Sequence, residues 1–128
     1  MKIYYYWKPI IVALIILFGS VTSGENLNKV SIIQIKNIDK IIHFVFYFSL
    51  TLSLLVSLFK NSLLSTKKQF FLAVIISLCY GLLMEFLQYY FTETRMAELL
   101  DIISNTLGCL LGLLFFVFIK NTRLIRLL

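Results

Sequence analysis

The chain has 128 residues, of which 60% are hydrophobic and only 14% charged, with a mean hydropathy of +0.94 and a formal net charge of +6. That balance excludes an ordinary soluble domain and fits a single integral membrane unit over residues 1–128. A span takes roughly 20 apolar residues, so four spans leave room only for short loops. The positive charge does not point to nucleic acid, because the basic residues stand at the ends of apolar runs and form no basic helix or fingerprint. Cys79 and Cys109 both fall inside apolar runs and are expected as two buried thiols. No CxxC or Cys/His spacing is present, so neither a metal nor a cofactor is expected.

Taken in order, Met1 to Lys8 combines Lys2 and Lys8 with Tyr4, Tyr5, Tyr6 and Trp7, a composition suited to the headgroup level at the start of a span. Pro9 suits a first helical turn, where its missing N–H has no partner to lose. The first span is expected at about 8–22, ended by Gly19, Ser20, Thr22, Ser23 and Gly24. A rival reading makes these residues a secretory signal with a cleavage site near Val21, Thr22 and Ser23. Residues 25–38 mix isoleucines with Asn28, Lys29, Gln34 and Lys36 and are expected on the membrane surface. Further spans are expected at about 39–59, 70–91 and 101–119, joined by a basic loop holding Lys67 and Lys68 and by a short turn holding Glu93, Arg95 and Glu98.

Sidedness is set by the basic residues. Lys2, Lys8, Lys60, Lys67, Lys68, Lys120, Arg123 and Arg126 fall on one side; Lys29, Lys36, Lys40 and Arg95 fall on the other, with all 6 acidic residues. The positive-inside rule then puts both termini in the cytoplasm.

That topology collects the polar residues of the spans at the outer face. Asp39, His43 and Tyr47 are four apart and share a helix face, as do Glu85 and Gln88, and Asp101, Asn105, Gly108 and Gly112. At a rise of about 1.5 Å per residue, His43 and Asn105 lie roughly 6 Å inward of the rim and Glu85 roughly 9 Å. A charged side chain in mid-membrane costs on the order of 2.5–3.5 kcal/mol, so such groups face a bundle interior and have partners. Apolar neighbours in the chain give Glu85 none, and its partner is expected from another helix or from Arg95.

Each residue also has a plainer role. His43, Gln88 and Asn105 are suited to hydrogen bonds between helices, Asp101 to a helix N-terminus, and Gly108 with Gly112 to a close-packing GxxxG face. Lys40 and Glu93 are expected at the interface or in solvent, and Tyr89 and Tyr90 in an aromatic belt.

These residues resemble the VanZ-like family of small bacterial membrane proteins. The resemblance rests on Asp39-Lys40-x-x-His43 with Tyr47, on Tyr80-Gly81 followed by Glu85-x-x-Gln88, on Arg95, and on Asp101-x-x-x-Asn105-Thr106-x-Gly108-x-x-x-Gly112. It covers about residues 39–112. A departure is Thr92-Glu93-Thr94 ahead of Arg95, where the family commonly has proline and glycine, and it bears on how Arg95 is aimed. The family is named after a protein associated with teicoplanin resistance. The resemblance therefore implies action at the outer membrane surface, near cell-wall precursors or the lipoglycopeptide, and it assigns no reaction.

The expectation is thus an all-α integral membrane protein of the bacterial cytoplasmic membrane, with four spans and both termini inside. An outer-leaflet cluster of Asp39, His43, Glu85, Gln88, Arg95, Glu98, Asp101 and Asn105 forms its site. Glu85, His43 and Asp101 are the candidate acid/base groups, with Arg95 a candidate anion contact. Expected partners are membrane lipids and a lipid-linked precursor or lipoglycopeptide; a homo-oligomer stays open, through Gly108 and Gly112 in the carrier reading below. Two other classes stay open: an enzyme acting on a lipid-linked envelope substrate, for which no nucleophile motif or phosphate loop is present, and a proton-linked carrier, for which no inverted repeat is visible.

Overall fold

A computed structural model describes residues 3–21, 38–61, 63–91 and 99–126. The described residues form four α-helices: α1 (Trp7–Val21), α2 (Ile38–Asn61), α3 (Thr66–Phe91) and α4 (Leu99–Ile119). A 3-10 turn at Ile3–Tyr6 leads into α1 and another, Arg123–Arg126, succeeds α4. The expected surface segment at 25–37 and the turn carrying Glu93, Arg95 and Glu98 lie outside the described residues.

Three of the four helices, α2, α3 and α4, are long and apolar enough to cross a membrane. α1 is shorter: its 15 residues extend about 22 Å at 1.5 Å per residue, against roughly 30 Å of hydrocarbon. Length alone therefore does not carry α1 across.

The helices run up and down in an antiparallel bundle, and the α2–α4 interface is the most extensive. Two glycines explain it. A Cβ on Gly108 would collide with the Phe44 carbonyl oxygen of α2, and one on Gly112 would come within 2.8 Å of the Phe48 oxygen. Backbone cannot yield as a side chain can, so only glycine lets the two helices approach this closely. The glycine face is thereby used in packing α4 onto α2.

One apolar cluster gathers Ile16, Tyr47, Leu50, Met84 and Cys109, and another gathers Leu55, Val56, Leu58, Ala73 and Phe116. The Phe116 ring meets Phe59 and Phe70 in edge-on contacts at 5.6 and 6.0 Å. Hydrogen bonds fasten the N-terminal part to the bundle: the Tyr80 hydroxyl donates to the Ala13 carbonyl of α1 at 2.6 Å, and the Ser57 hydroxyl to the Tyr5 carbonyl of the preceding turn at 2.8 Å. Both cysteines are free thiols. Cys109 is buried, but Cys79 is exposed on the outer surface of α3, because its helical position turns it away from α2 and α4.

The two ends of the bundle differ in charge. Lys8, Lys60, Lys67, Lys68 and Lys120 flank one end, the basic end, where the Lys120 ammonium lies over the Phe70 ring at 5.7 Å. Asp39, Glu85 and Asp101 cluster at the other, the polar end.

Candidate functional site

At the polar end, α2 and α4 begin and α3 finishes, so three short stretches of sequence meet. The first turns of α2 supply Asp39, Lys40 and His43, the last turns of α3 supply Glu85 and Gln88, and the first turns of α4 supply Asp101 and Asn105. The close approach at Gly108, one turn beyond Asn105, draws α4 onto α2 and lets their side chains touch.

Asn105 is the centre of the contact. Its amide group donates to Glu85 Oε1 at 3.4 Å, and its Oδ1 lies 3.0 Å from His43 Nδ1, which donates to it when that nitrogen carries the proton. His43 Nδ1 is also 3.7 Å from Glu85 Oε1. Glu85 and Asn105 are each only 3% exposed, and Gln88, Asp101 and His43 are buried beside them. The partner that Glu85 required comes from another helix, one of the two sources expected for it.

Lys40 corrects an expectation. It is not spread into solvent: its ammonium stands 2.5 Å from Asp39 Oδ2 and 3.2 Å from Asp101 Oδ1, with 15% of its side chain exposed. It ties the start of α2 to the start of α4, and the three-residue spacing to His43 was the signal that the two share a face. Asp101 is correspondingly more than a rim residue. Its Oδ1 is buried and accepts no hydrogen bond of proper geometry, although the Lys40 charge is close.

Tyr47 lies one turn below His43, with its ring against Gly81 and beside the Asn105 amide. Its hydroxyl is buried and without a hydrogen-bond partner among the described residues, as are the hydroxyls of Thr51 and Ser77 deeper in the bundle. Thr51 and Ser77 carried no prediction as site residues. Nothing in their spacing distinguishes them from small polar groups that bond to their own helix.

Beside the cluster, a cavity of about 180 Å3 lies between α1, α2 and α3, lined by Ile16, Gly19, Ser20, Asp39, Ile42, His43, Phe46 and Gln88. Its lining mixes polar groups, Ser20, Asp39, His43 and Gln88, with apolar ones, Ile16, Ile42 and Phe46. The contribution of α1 was not foreseen, since Gly19 and Ser20 read in sequence as a helix end.

The structure thus brings Asp39, His43, Glu85, Gln88, Asp101 and Asn105 to one end of the bundle, while Arg95 and Glu98 lie outside the described residues. The sequence model of the VanZ/LLP1 family matches residues 5–120. The chain belongs to the VanZ/LLP1 family. The match takes in all four helices, including α1, which the resemblance over residues 39–112 had left out. No curated protein and no solved structure matches the chain.

Proposed function

We propose that this VanZ-family protein works at the outer face of the bacterial cytoplasmic membrane, where its polar end engages the head of an envelope amphiphile. The amphiphile is a lipid-linked cell-wall precursor or a lipoglycopeptide of the teicoplanin type. In this reading all four helices cross the membrane, both termini are cytoplasmic, and the polar end sits in the outer leaflet. The distribution of Lys and Arg between the two ends supports that orientation.

The observation that carries the reading is the cavity beside the buried polar cluster, whose lining holds both polar and apolar side chains. Asp39, His43, Ser20 and Gln88 offer hydrogen-bonding and charged groups to a polar head, and Ile16, Ile42 and Phe46 offer an apolar wall to the start of its tail. At about 180 Å3 the space suits a headgroup fragment and the first carbons of a tail, with the remaining tail in lipid.

The test uses the full chain in lipid nanodiscs, with binding of a short-chain lipid-linked precursor and of teicoplanin measured for the wild type, His43→Gln and Ile16→Trp. Saturable binding to the wild type that weakens in both variants supports the reading; binding equal to that of protein-free nanodiscs overturns it. Orientation is checked separately in a Cys79→Ala, Cys109→Ala background. In it, Thr92→Cys should react with a membrane-impermeant maleimide in intact cells, and Thr122→Cys only after lysis.

A further inference from the structure

The buried groups at the polar end are a coordinating set. One donor atom each from His43, Glu85 and Asp101 lie within 4.8 Å of one another, and the three residues come from three different helices. We propose that this cluster binds a divalent transition-metal ion of the Zn2+ or Mn2+ class, held by His43 Nδ1 and the carboxylates of Glu85 and Asp101, with Asn105 Oδ1 as a further oxygen.

Geometry is the first support. With metal–ligand bonds of about 2.0–2.2 Å, neighbouring donors stand roughly 3 Å apart and opposed ones roughly 4 Å. His43 Nδ1 lies 3.0 Å from Asn105 Oδ1 and 3.7 Å from Glu85 Oε1, and the donors of His43, Glu85 and Asp101 all fall within 4.8 Å of one another, so closing around an ion takes side-chain shifts of up to about 1 Å. The donors are fixed on helices, and the Gly108 approach keeps α2 and α4 from separating.

Charge is the second, independent support. The described part of the polar end holds three carboxylates, Asp39, Glu85 and Asp101, against the single ammonium of Lys40, which lies closer to Asp39 than to Asp101. Asp101 Oδ1 is fully buried without a proper hydrogen bond. Buried anions are destabilising unless compensated, and one divalent cation neutralises Glu85 and Asp101 together. Lys40 then stands in as the monovalent counter-ion of Asp101 in the metal-free protein, and it turns fully to Asp39 when the ion enters.

The donor chemistry selects the ion. An imidazole nitrogen argues against Mg2+ and Ca2+, and the lack of thiolate argues against Cu+; one nitrogen with carboxylate and amide oxygens suits Zn2+ or Mn2+. To coordinate through Nδ1 the neutral imidazole shifts its proton to Nε2, so the ring loses none. His43 also lines the cavity. The inference therefore deepens the amphiphile reading: with His43, Glu85 and Asp101 as the three ligands, the position that Asn105 Oδ1 fills in the resting site is given up to an anionic or carbonyl oxygen of the head, as at sites that keep one position free for substrate.

The purified full chain, stripped with chelator, is titrated with Zn2+ and separately with Mn2+, with detergent alone as blank. One saturable equivalent is expected. His43→Gln and Asp101→Asn should each weaken binding by more than the roughly 10–100-fold that loss of an outer-shell partner costs. Lys40→Gln, which removes the competing cation and no ligand, should tighten it, and it keeps the test decisive if the other variants fold poorly. No saturable uptake by the wild type, or equal affinity in His43→Gln, overturns the proposal. Amphiphile binding measured on the stripped and the loaded protein keeps the two ideas apart. Uptake of the ion without amphiphile binding removes only the earlier reading, and amphiphile binding without uptake removes only this one.

Discussion

The two ends of the bundle are built from the same helices by opposite means. At the basic end, Leu55, Val56, Ala73 and Phe116 form an apolar cluster, rings meet edge-on, and lysines ring the helix termini. At the polar end, the same helices bury an imidazole, two carboxylates and two carboxamides, of which His43, Asn105 and Glu85 touch one another. Their hollows differ likewise: about 640 Å3 between leucines, Tyr6 and Asn61 at the basic end, and about 180 Å3 beside His43 and Asp39 at the polar end. Lipid is as apolar as leucine, so packing at the basic end is enough to associate the helices. The polar groups add hydrogen bonds between helices to that packing, at the cost of burying charge.

Substitutions should separate the two ends. The largest effect is expected at Gly108→Ala, whose methyl strikes the Phe44 carbonyl and drives α4 off α2. A loss of about 3 kcal/mol should accompany loss of the His43–Asn105 contact, read as detergent unfolding of the purified chain. Gly112→Ala, at 2.8 Å from the Phe48 oxygen, should cost less, and Gly19→Ala, whose Cβ finds only ordinary contact at 3.6 Å, close to nothing.

Next comes Phe116→Ala, which empties the centre of the basic-end core. The loss should stay below the roughly 3–5 kcal/mol of soluble cores, because the alternative environment is lipid rather than water. Ligand binding at the polar end should not change. Asn105→Leu reverses that pattern: a stability loss of about 1–2 kcal/mol, with loss of whatever binds beside His43 and Glu85. Smallest is Tyr80→Phe, which removes the hydrogen bond to Ala13 and should cost about 0.6 kcal/mol. Its effect should appear as faster proteolysis near α1 rather than a lower unfolding temperature.

The two ends also differed in how far they were legible. The all-helical architecture was readable from run length and composition, although α3 begins at Thr66, ahead of the apolar run. Thr66, Lys67 and Lys68 add no hydropathy, yet the Ser65 carbonyl accepts from the Gln69 N–H and the Gln69 side chain donates back to Leu64, which closes the first turn. Counting rises from the helix ends put His43, Glu85 and Asn105 at similar depth, and those side chains do meet. What could not be read was which helix each stripe faces. The Gly108 stripe read as a close-packing face whose partner helix stayed open, because a glycine pair specifies a close approach and not its partner. Lys40 was misjudged for a related reason: a lysine at a helix start is usually solvated, and only the arrival of Asp101 from α4 makes it a bridge.

The measurement that tests the account most directly is Glu85→Gln in lipid nanodiscs, with unfolding and amphiphile binding read on the same preparation. Glutamine keeps an oxygen for the Asn105 amide and removes the charge. If the polar end is a working site, stability stays within about 1 kcal/mol of the wild type while binding is lost. If instead stability falls and the protein that remains folded binds as before, the polar end only holds the helices together.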